Sequence, residues 1–426
     1  MHASRNGRTL ALRACPNPRI GPPRARRAAV RNVFTQHDEL SMIRERCVLD
    51  SASVPLGDRM TPLGDTCPKG SRHTAIDLFS GCGGLSLGLR QAGFGLVGAV
   101  EIDEFAAHTY CLNHPGVDVW EEDIREIEAW DFMDELGLDE FQLDLLAGCP
   151  PCQGFSSIPT LNGRYQINDE RNDLIFDFLR FVEHLRPKTI MLENVPGLAN
   201  DSRFDRFCRG LRRLKYEFAW DIRDMAAYGV AQRRKRLLLL GSIWQRIPFG
   251  WPRAKPRTVR MEIAHLKPAG RSGDPVHDFP ESRSTRVQKL IARVPKDGGS
   301  RLDLGTKRQL RCHRECDGFK DVYGRMAWDD VAPTITSGCF NPSKGRFLHP
   351  SEDRTITMRE AALLQSFPGS YRFPTYRGKI AIAELIGNAL PPRFVRFHAK
   401  QVRSYIECAM DRQRALPSGA QKKCRK

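Results

Sequence analysis

Short apolar runs alternate with helix-like segments from about residue 74 onward. Some runs have the length of buried strands, at 75–79, 96–100, 143–147, 189–192 and 236–240. The segments between them carry apolar residues at helical spacing, at 85–92, 105–112, 173–185 and 204–214. Because strands buried on both faces alternate with helices, the pattern predicts a doubly wound α/β fold with a mostly parallel sheet.

The pattern changes between about residues 245 and 345. Pro, Gly, Arg and Ser become more frequent there, and the apolar periodicity weakens, which is typical of an irregular lobe or a long insertion. Helical spacing returns at 358–365 and, after Pro391-Pro392, continues to about residue 405. We find no internal repeat and no apolar run near the roughly 20 residues that a membrane span needs.

Charge changes the picture of the irregular segment. The chain holds 67 Lys and Arg against 50 Asp and Glu, a net charge of +17. Residues 1–35 contain eight Arg and no acid, but residues 245–330 also hold 19 basic against 11 acidic residues. The body of the protein is therefore basic as well as its start, which favours a polyanionic partner such as nucleic acid.

The 13 cysteines lack the spacing of a disulfide framework and are typical of a reduced, intracellular protein. Cys312-His313 and Cys316 could begin a zinc site, but no second ligand pair lies at a suitable spacing, so we expect no metal. Cys149-Pro-Pro-Cys152 matches the redox C-x-x-C pattern. The segment also lies in a loop after a predicted parallel strand, where catalytic groups collect. Its cysteines could therefore provide a nucleophile, form a redox pair, or be buried for structural reasons.

A glycine-rich turn follows the first predicted strand. Asp77-Leu-Phe-Ser-Gly-Cys-Gly-Gly84 lets the backbone approach a ligand closely, and Glu101 at the end of the next strand can accept both hydroxyls of a ribose. Asp123 and Ile124 could hold and pack an adenine. The spacing differs from the G-x-G-x-x-G of pyrophosphate-binding turns, so an adenosine without phosphates fits better. A turn that needs glycine only for its dihedral angles is the alternative, and it leaves Glu101 unexplained.

Two more polar motifs follow. Glu193-Asn194 ends the strand at 189–192, where a carboxylate is either an ion-pair partner or, beside a nucleophilic cysteine, an acid or hydrogen-bond partner. Gln232-Arg-Arg-Lys-Arg236 opens the next strand. Alternation along a strand would direct Gln232, Arg234 and Arg236 to one side, which we expect to be the active-site side.

Taken together, these motifs resemble the bacterial cytosine-5 DNA methyltransferases. Phe-x-Gly-x-Gly, Pro-Cys-Gln, Glu-Asn-Val, Gln-x-Arg-x-Arg, the 359–368 helix motif and Gly387-Asn-Ala389 occur in that family's order across residues 74–405. The resemblance implies transfer of a methyl group from S-adenosyl-L-methionine to carbon 5 of a flipped cytosine in a specific sequence of double-stranded DNA. S-adenosyl-L-homocysteine is then the product, and no metal takes part. A smaller irregular target-recognition lobe accompanies the S-adenosylmethionine-dependent methyltransferase fold.

The resemblance also implies roles for individual residues. Cys152 is the covalent nucleophile, and Glu193 contacts ring N3 and the amino group while holding or sharing a proton. Arg234 holds the carbonyl oxygen of the base, and Arg236 supports the site at one remove. The base and its surroundings are expected to contact Gln153, Ser156, Asn194 and Gln232, with Gln166 on the loop that closes over the base. The cofactor is expected to contact Phe79, Gly81, Gly83, Gly84, Leu85, Glu101, Ile102, Asp123, Ile124, Pro151 and Asn388.

The implied organisation has five parts. Residues 1–70 form a basic extension without regular structure, 71–244 the catalytic and cofactor-binding domain, and 245–350 the target-recognition region; 351–410 are helices returning to the catalytic domain, and 411–426 are a basic tail. We expect a cytoplasmic, nucleoid-associated monomer of a bacterium, with DNA as its partner and a restriction endonuclease as its counterpart if it belongs to a restriction–modification system.

Two alternatives are considered. A transfer-RNA cytosine-5 methyltransferase shares the scaffold, but that branch carries Cys-Phe-Thr where this chain has Cys339-Phe340-Asn341. A catalytically inactive DNA-binding regulator would have no use for Cys152 and Glu193 together with both arginines.

Overall fold

A single twisted sheet organises the part of the chain that the computed structural model describes, residues 73–151, 170–252, 255–305 and 320–415. Within these residues seven strands pair in the order β3-β2-β1-β4-β5-β7-β6. The strands are β1 Thr74–Leu78, β2 Gly95–Val100, β3 Asp118–Trp120, β4 Leu145–Gly148, β5 Thr189–Asn194, β6 Glu217–Asp224 and β7 Lys235–Ser242.

Helices follow most strands. Those of the sheet domain are α1 Gly84–Gln91, α2 Glu104–Asn113, α3 Ala129–Glu135, α4 Leu174–Leu185 and α5 Ser202–Arg213. The later helices are α6 Val259–Ile263, α7 Thr285–Arg293, α8 Met358–Leu364, α9 Gly378–Asn388 and α10 Pro392–Ala415. Local caps set several of the starts. For example, Thr357 and Glu360 form a reciprocal capping box at the start of α8.

The sheet is buried on both faces. In β7, Leu237 and Leu239 join the apolar cluster formed with α4 and α5, whereas Leu238 and Leu240 join the cluster formed with α1 and α10. All four leucines are fully buried. Successive side chains of a strand point to opposite faces, so a continuous apolar run is what a sheet covered on both sides requires. The predicted doubly wound, mostly parallel fold is confirmed.

The last two strands depart from the parallel arrangement. β5 pairs with β7 in antiparallel fashion, with Asn194 opposite Leu237, and β7 pairs with β6 in the same way. The start of β7 therefore lies at the same edge of the sheet as the end of β5. This arrangement explains why the Gln232–Arg236 motif precedes its strand, whereas the other motifs follow theirs.

Several elements were not anticipated individually from the sequence. The strand β3 has three residues, too few for a periodic signal. The edge strand β6 was missed although its apolar residues Phe218, Trp220 and Ile222 alternate with smaller or polar ones, a pattern typical of a strand. The helices α3, α6, α7 and α9 were not predicted as separate helices either.

The irregular stretch after residue 245 is held together by loops and buried side chains. The guanidinium of Arg325 is fully buried and donates to the carbonyls of Ile291, Val294 and His349 and to the carboxylate of Asp353. Within its described residues this stretch has only isolated bridges and short helices. The division into domains proposed above stays a prediction.

Among the residues that the structure describes, no helix is both long and apolar enough to span a membrane.

Candidate active site

The carboxyl ends of the parallel strands carry the motifs singled out above. Directly after β1, the glycine turn reverses the chain with three residues in the left-handed region: Phe79 at φ 61°, Gly81 at 55° and Gly83 at 88°. The turn is closed by a hydrogen bond from the Gly83 N–H to the Ser80 carbonyl, at 3.0 Å. Glycine is favoured at these angles because it has no Cβ.

The glycines of the turn face different surroundings. A Cβ on Gly84 would lie 2.5 Å from the Leu390 carbonyl oxygen, so this glycine allows α1 to pack against the segment after α9. A Cβ on Gly81 would meet no atom of the described residues within 4 Å. The turn is therefore packed against protein at Gly84 and open at Gly81. Leu85, in the first turn of α1, is buried in the core.

Glu101, just beyond β2, is tied to this turn. One carboxylate oxygen accepts the Gly81 N–H at 2.7 Å, and the other accepts the Asp103 N–H at 2.9 Å. Burial raises the pKa of Glu101 above its ordinary value. Each oxygen has lone-pair capacity left for a further donor. The next side chain, Ile102, is 64% exposed, an unusual position for a large aliphatic group.

Asp123 and Ile124 follow β3. The carboxylate of Asp123 accepts the Arg125 Nε–H at 3.0 Å, and this hydrogen bond lowers the pKa of Asp123. The side chain of Ile124 is buried, and its carbonyl accepts the guanidinium of Arg180 at 2.6 Å. Arg125 therefore occupies part of the hydrogen-bonding capacity of Asp123, which we expect to bind an adenine amino group.

Glu193 ends β5 and meets groups from two neighbouring strands. Its carboxylate lies 3.0 Å from Nε of Arg236, the second residue of β7. The negative charge of Glu193 also acts on the thiol of Cys149, the residue after β4. Burial, aided by this charge, raises the pKa of Cys149 well above its ordinary value, so at neutral pH this group is a thiol and not a thiolate. Cys149 is thus poorly suited to be a nucleophile or one half of a redox pair.

Asn194 fastens the loop that follows β4. Its side-chain amide donates to the Pro150 carbonyl at 3.0 Å and its oxygen accepts the Val195 N–H at 2.8 Å. Pro151, the next residue, is half-buried. Cys152, Gln153 and Ser156, which we expect at the active site, lie outside the described residues. Gln166, Cys312, His313 and Cys316 lie outside them as well.

Arg234 and Gln232 are buried just before β7. Nη1 of Arg234 donates to the Ile335 carbonyl at 3.1 Å and to the Gly387 carbonyl at 3.0 Å, while its Nε has no hydrogen-bond partner among the described residues. Burial lowers the pKa of Arg234, although a guanidinium remains a cation at neutral pH. Arg236 and not Arg234 pairs directly with Glu193, and the roles expected of the two arginines stay predictions.

The side chain of Gln232 is occupied at both ends. Its oxygen accepts the Ile335 N–H at 2.7 Å, and its amide nitrogen donates to Gln365 at 2.7 Å. Gln365 in turn donates to the Ile386 carbonyl at 2.6 Å. These buried bonds join β7 to α9 and to the segment around residue 335. Asn388, at the end of α9, is exposed and precedes Ala389, which lies beside Gly84.

Two buried polar atoms beneath the glycine turn, Oδ1 of Asp77 and Oγ of Ser80, have no hydrogen-bond partner among the residues that the structure describes. Buried polar groups are usually satisfied, so these orphans indicate a place where a polar ligand can complete the contacts. Together with the open side of Gly81, the free capacity of Glu101 and the exposed Ile102, they fit a small ligand with an adenosine moiety.

Several residues that shape this site carry no signal in the amino-acid sequence. His114 and Tyr371 contact the back of the glycine turn, and Ser86 and Tyr110 hydrogen-bond in a chain beginning at Asp77. His114 and Tyr371 come from segments distant from the turn in sequence, so pattern and spacing could not place them.

Comparison with known proteins gives a consistent result. The family described as C-5 cytosine-specific DNA methylase matches residues 73–404. The type II methylase M.HgiDII of Herpetosiphon aurantiacus is 35% identical over 357 residues, covering 80% of this chain and 97% of that protein. The type II methyltransferase M.Sau96I of Staphylococcus aureus is 31% identical, covering 79% of this chain and 77% of that protein.

Solved structures are similar as well. A prophage-encoded E. coli protein described as a DNA modification methyltransferase has a TM-score of 0.58 and 25% identity, covering 79% of this chain and 99% of that one. The S. pombe Dnmt2 methyltransferase has a TM-score of 0.53 at 18% identity, covering 78% of this chain and 99% of that one, and shows the fold alone.

Proposed function

We propose that this chain, which belongs to the C-5 cytosine-specific DNA methylases, methylates cytosine in double-stranded DNA through a covalent bond to Cys152. It is a DNA cytosine-5 methyltransferase, and its family uses S-adenosyl-L-methionine. The proposal concerns the adduct, the residue roles and the specific target.

The observation that carries this proposal is the meeting of three groups at one edge of the sheet. Glu193 pairs with Arg236 of the neighbouring strand β7 at 3.0 Å, and its charge acts on Cys149, which follows β4 on the other side of β5. Asn194 holds the Pro150 carbonyl immediately before the Pro-Cys-Gln segment. A carboxylate held by a cation, next along the chain to a residue that bonds to the loop before a second cysteine, supports a mechanism of covalent catalysis by that cysteine.

Cytosine carbon 5 is too weak a nucleophile to react without activation. Addition of the Cys152 thiolate to carbon 6 forms an S–C6 bond and makes carbon 5 an enamine carbon. When bound, S-adenosylmethionine supplies an electrophilic methyl group, which carbon 5 accepts. Loss of the carbon 5 proton to a base then lets the S–C6 electrons return to sulfur, and the thiolate is released.

Glu193 and Arg236 are suited to the charge that develops on the ring. Glu193 would contact N3 and the amino group of cytosine and share a proton there as electron density moves onto the ring. Arg236, fixed on Glu193, orients that carboxylate and offers its remaining donors to the carbonyl oxygen of the base. Arg234 then acts at one remove, because its Nη1 holds the Ile335 and Gly387 carbonyls.

The cofactor would be held by the residues around the open side of the glycine turn. Glu101 would accept the ribose hydroxyls, and Ile102 would cover a face of the adenine. The backbone of Phe79 and Gly81 can approach the amino-acid part of the cofactor closely. Asp123 and Pro151, in the loops after β3 and β4, and Asn388, at the end of α9, complete the proposed set.

The DNA would be held by the basic stretch at 245–350. Most basic side chains there would contact phosphates, and a few would read base edges. The target cytosine must leave the stack to reach Cys152, at a cost of a few kcal/mol. We further propose that the chain acts in the cytoplasm on nucleoid DNA, as a monomer, as the modification member of a restriction–modification pair.

The test is covalent trapping. Duplex DNA containing 5-fluorocytosine at its target sites, incubated with the protein and S-adenosylmethionine, should give a denaturation-resistant adduct, because fluorine cannot leave as the C5 proton does. Bisulfite sequencing of DNA from cells expressing the protein supplies the target sequence. Cys152→Ala should abolish both the adduct and methylation while DNA binding persists.

The matched control is Cys408→Ser, because Cys408 is an exposed cysteine on α10. This variant should form the adduct at the wild-type rate. An adduct that survives Cys152→Ala, or whose attached peptide maps to another cysteine, would refute the assignment of the nucleophile.

A further inference from the structure

Two buried side chains hold the glycine turn by its backbone carbonyls. The hydroxyl of Tyr371, in the loop after α8, donates to the Cys82 carbonyl. Nε2 of His114, at the end of α2, lies 3.1 Å from the Gly83 carbonyl and 3.2 Å from the Tyr371 hydroxyl. Neither His114 nor Tyr371 is more than 1% exposed. Two consecutive peptide groups of the turn are therefore tied to side chains from distant segments.

The protonation of His114 follows from its surroundings. Burial, aided by the positive charge of Arg90, lowers the pKa of His114 to about 3, so the ring is neutral at neutral pH. A guanidinium nitrogen of Arg90, which can only donate, lies 3.5 Å from Nδ1. Nδ1 is thus the acceptor, and Nε2 carries the proton that reaches the Gly83 carbonyl.

The fit around Gly83 is close. A Cβ on Gly83 would lie 2.4 Å from Nε2 of His114 and 2.8 Å from the Tyr371 hydroxyl. Gly83 also has a φ of 88°, a conformation that residues with a side chain rarely adopt. The absence of a side chain therefore serves the contact with these two residues as well as the turn.

Tyr371 is itself held firmly. Its ring packs against Phe367 and Phe373, with centroids 4.7 and 5.3 Å away. Its carbonyl accepts Nη1 of Arg359 at 2.8 Å, and Arg359 pairs with Asp274 in the stretch after residue 245. The hydroxyl is thus presented to Cys82 from a rigid position.

From these contacts we propose that Tyr371 and His114 are positioning residues for cofactor binding. They hold the backbone carbonyls of Cys82 and Gly83 in place. The turn then keeps the conformation in which the Gly81 N–H bonds to Glu101 and the side of the turn at Gly81 can bind the cofactor. If the turn also adopts conformations that cannot bind, the apparent Kd for the cofactor equals the intrinsic Kd divided by the fraction of molecules in the binding conformation. The inference rests on the proposed binding of S-adenosylmethionine at this turn.

The experiment measures binding of S-adenosyl-L-homocysteine to the full chain by calorimetry, without DNA. Tyr371→Phe removes one hydroxyl and should raise the Kd roughly three- to tenfold, the range expected for one net hydrogen bond. Steady-state kinetics should show a raised KM for S-adenosylmethionine with kcat nearly unchanged, because the hydroxyl does not touch the reacting atoms.

Tyr216→Phe is the matched control. Tyr216 is also buried and also donates its hydroxyl to a backbone carbonyl, that of Pro187, at 2.5 Å, but it lies far from the turn in the fold. Both variants should lose some thermal stability, and only Tyr371→Phe should weaken binding. If Tyr371→Phe binds S-adenosylhomocysteine as the wild type does, the proposal is overturned.

A second pair of variants guards against a folding defect. His114→Leu removes the donor to the Gly83 carbonyl and should weaken binding, whereas His114→Gln can place an N–H near the Nε2 position and should restore most of it. Equal affinities for these two variants would also count against the proposal. Failure of the wild type to bind S-adenosylhomocysteine would instead refute the cofactor site, so the two failures are distinguishable.

Discussion

Asp77 shows how a single buried residue can link the stability of this protein to pH. Its side chain is fully buried, and Oδ2 accepts the Ser86 hydroxyl at 2.6 Å, which in turn lies 2.8 Å from the Tyr110 hydroxyl. Within the described part of the chain, Oδ1 has no hydrogen-bond partner. Burial raises the pKa of Asp77 from 3.8 to about 7, because the charged form loses hydration that its hydrogen bonding to Ser86 does not replace.

Asp77→Asn should therefore stabilise the ligand-free protein at alkaline pH. With a folded-state pKa above the unfolded one, the wild type is most favoured below about pH 4, and this contribution is lost as pH rises to about 7. Asparagine has no such titration and can still accept the Ser86 hydroxyl. The melting temperature of the variant minus that of the wild type, measured by calorimetry, should grow from pH 4 to 7 and then level off. A difference independent of pH would contradict the prediction.

At the scale of elements, α9 packs closely against the segment around residue 335, next to Arg234 of the candidate site. A Cβ on Gly387 would lie 2.3 Å from the Ser337 backbone nitrogen and 2.5 Å from the Thr336 carbonyl carbon. Arg234 donates to the Ile335 and Gly387 carbonyls on either side of this contact. Backbone against backbone cannot yield as a flexible side chain can, so glycine is required for this packing.

Gly387→Ala should separate these elements and lower stability by at least about 1–3 kcal/mol, the usual cost of overpacking. Thermal or urea unfolding measures the loss. The matched control is Gly369→Ala, because a Cβ on Gly369 would meet nothing within 4 Å and its φ is not positive. This control should be neutral or slightly stabilising. Equal unfolding free energies for the two variants would show that the α9 contact is not tight.

At the scale of the whole molecule, positive charge and a wide irregular stretch suit a long polyanion. The chain has a net charge of +17, and residues 245–330 hold 19 basic against 11 acidic residues. In the described part of this stretch, the buried Arg325 hydrogen-bonds to several backbone carbonyls. Much of the binding free energy for DNA should therefore come from release of condensed counterions.

Raising the salt concentration should weaken DNA binding steeply and leave cofactor binding nearly unchanged. With several phosphate contacts, the DNA association constant should fall at least about tenfold from 50 to 200 mM salt, linearly on a double logarithmic plot. Fluorescence anisotropy with a labelled duplex measures this, with S-adenosylhomocysteine calorimetry at both salt concentrations as the control. A flat plot for DNA would contradict a phosphate-dominated interface.

Local patterns were sufficient for the core of the fold and for the order of the motifs. Buried strands such as 75–79 and 189–192 carry continuous apolar runs, and carboxyl ends of parallel strands collect functional loops, so Glu101 and Glu193 could be assigned to one edge without coordinates. The short strand β3 carried no such pattern, and the edge strand β6 alternates apolar and polar residues instead of forming a continuous apolar run.

Only the folded chain decided which groups meet across that edge. The antiparallel placement of β7 brings Arg236 onto Glu193, and the packing of distant segments brings His114 and Tyr371 onto the glycine turn. Periodicity reports which face of an element is buried, because that depends on neighbours a few residues away. It carries no record of which element, hundreds of residues along the chain, will cover that face.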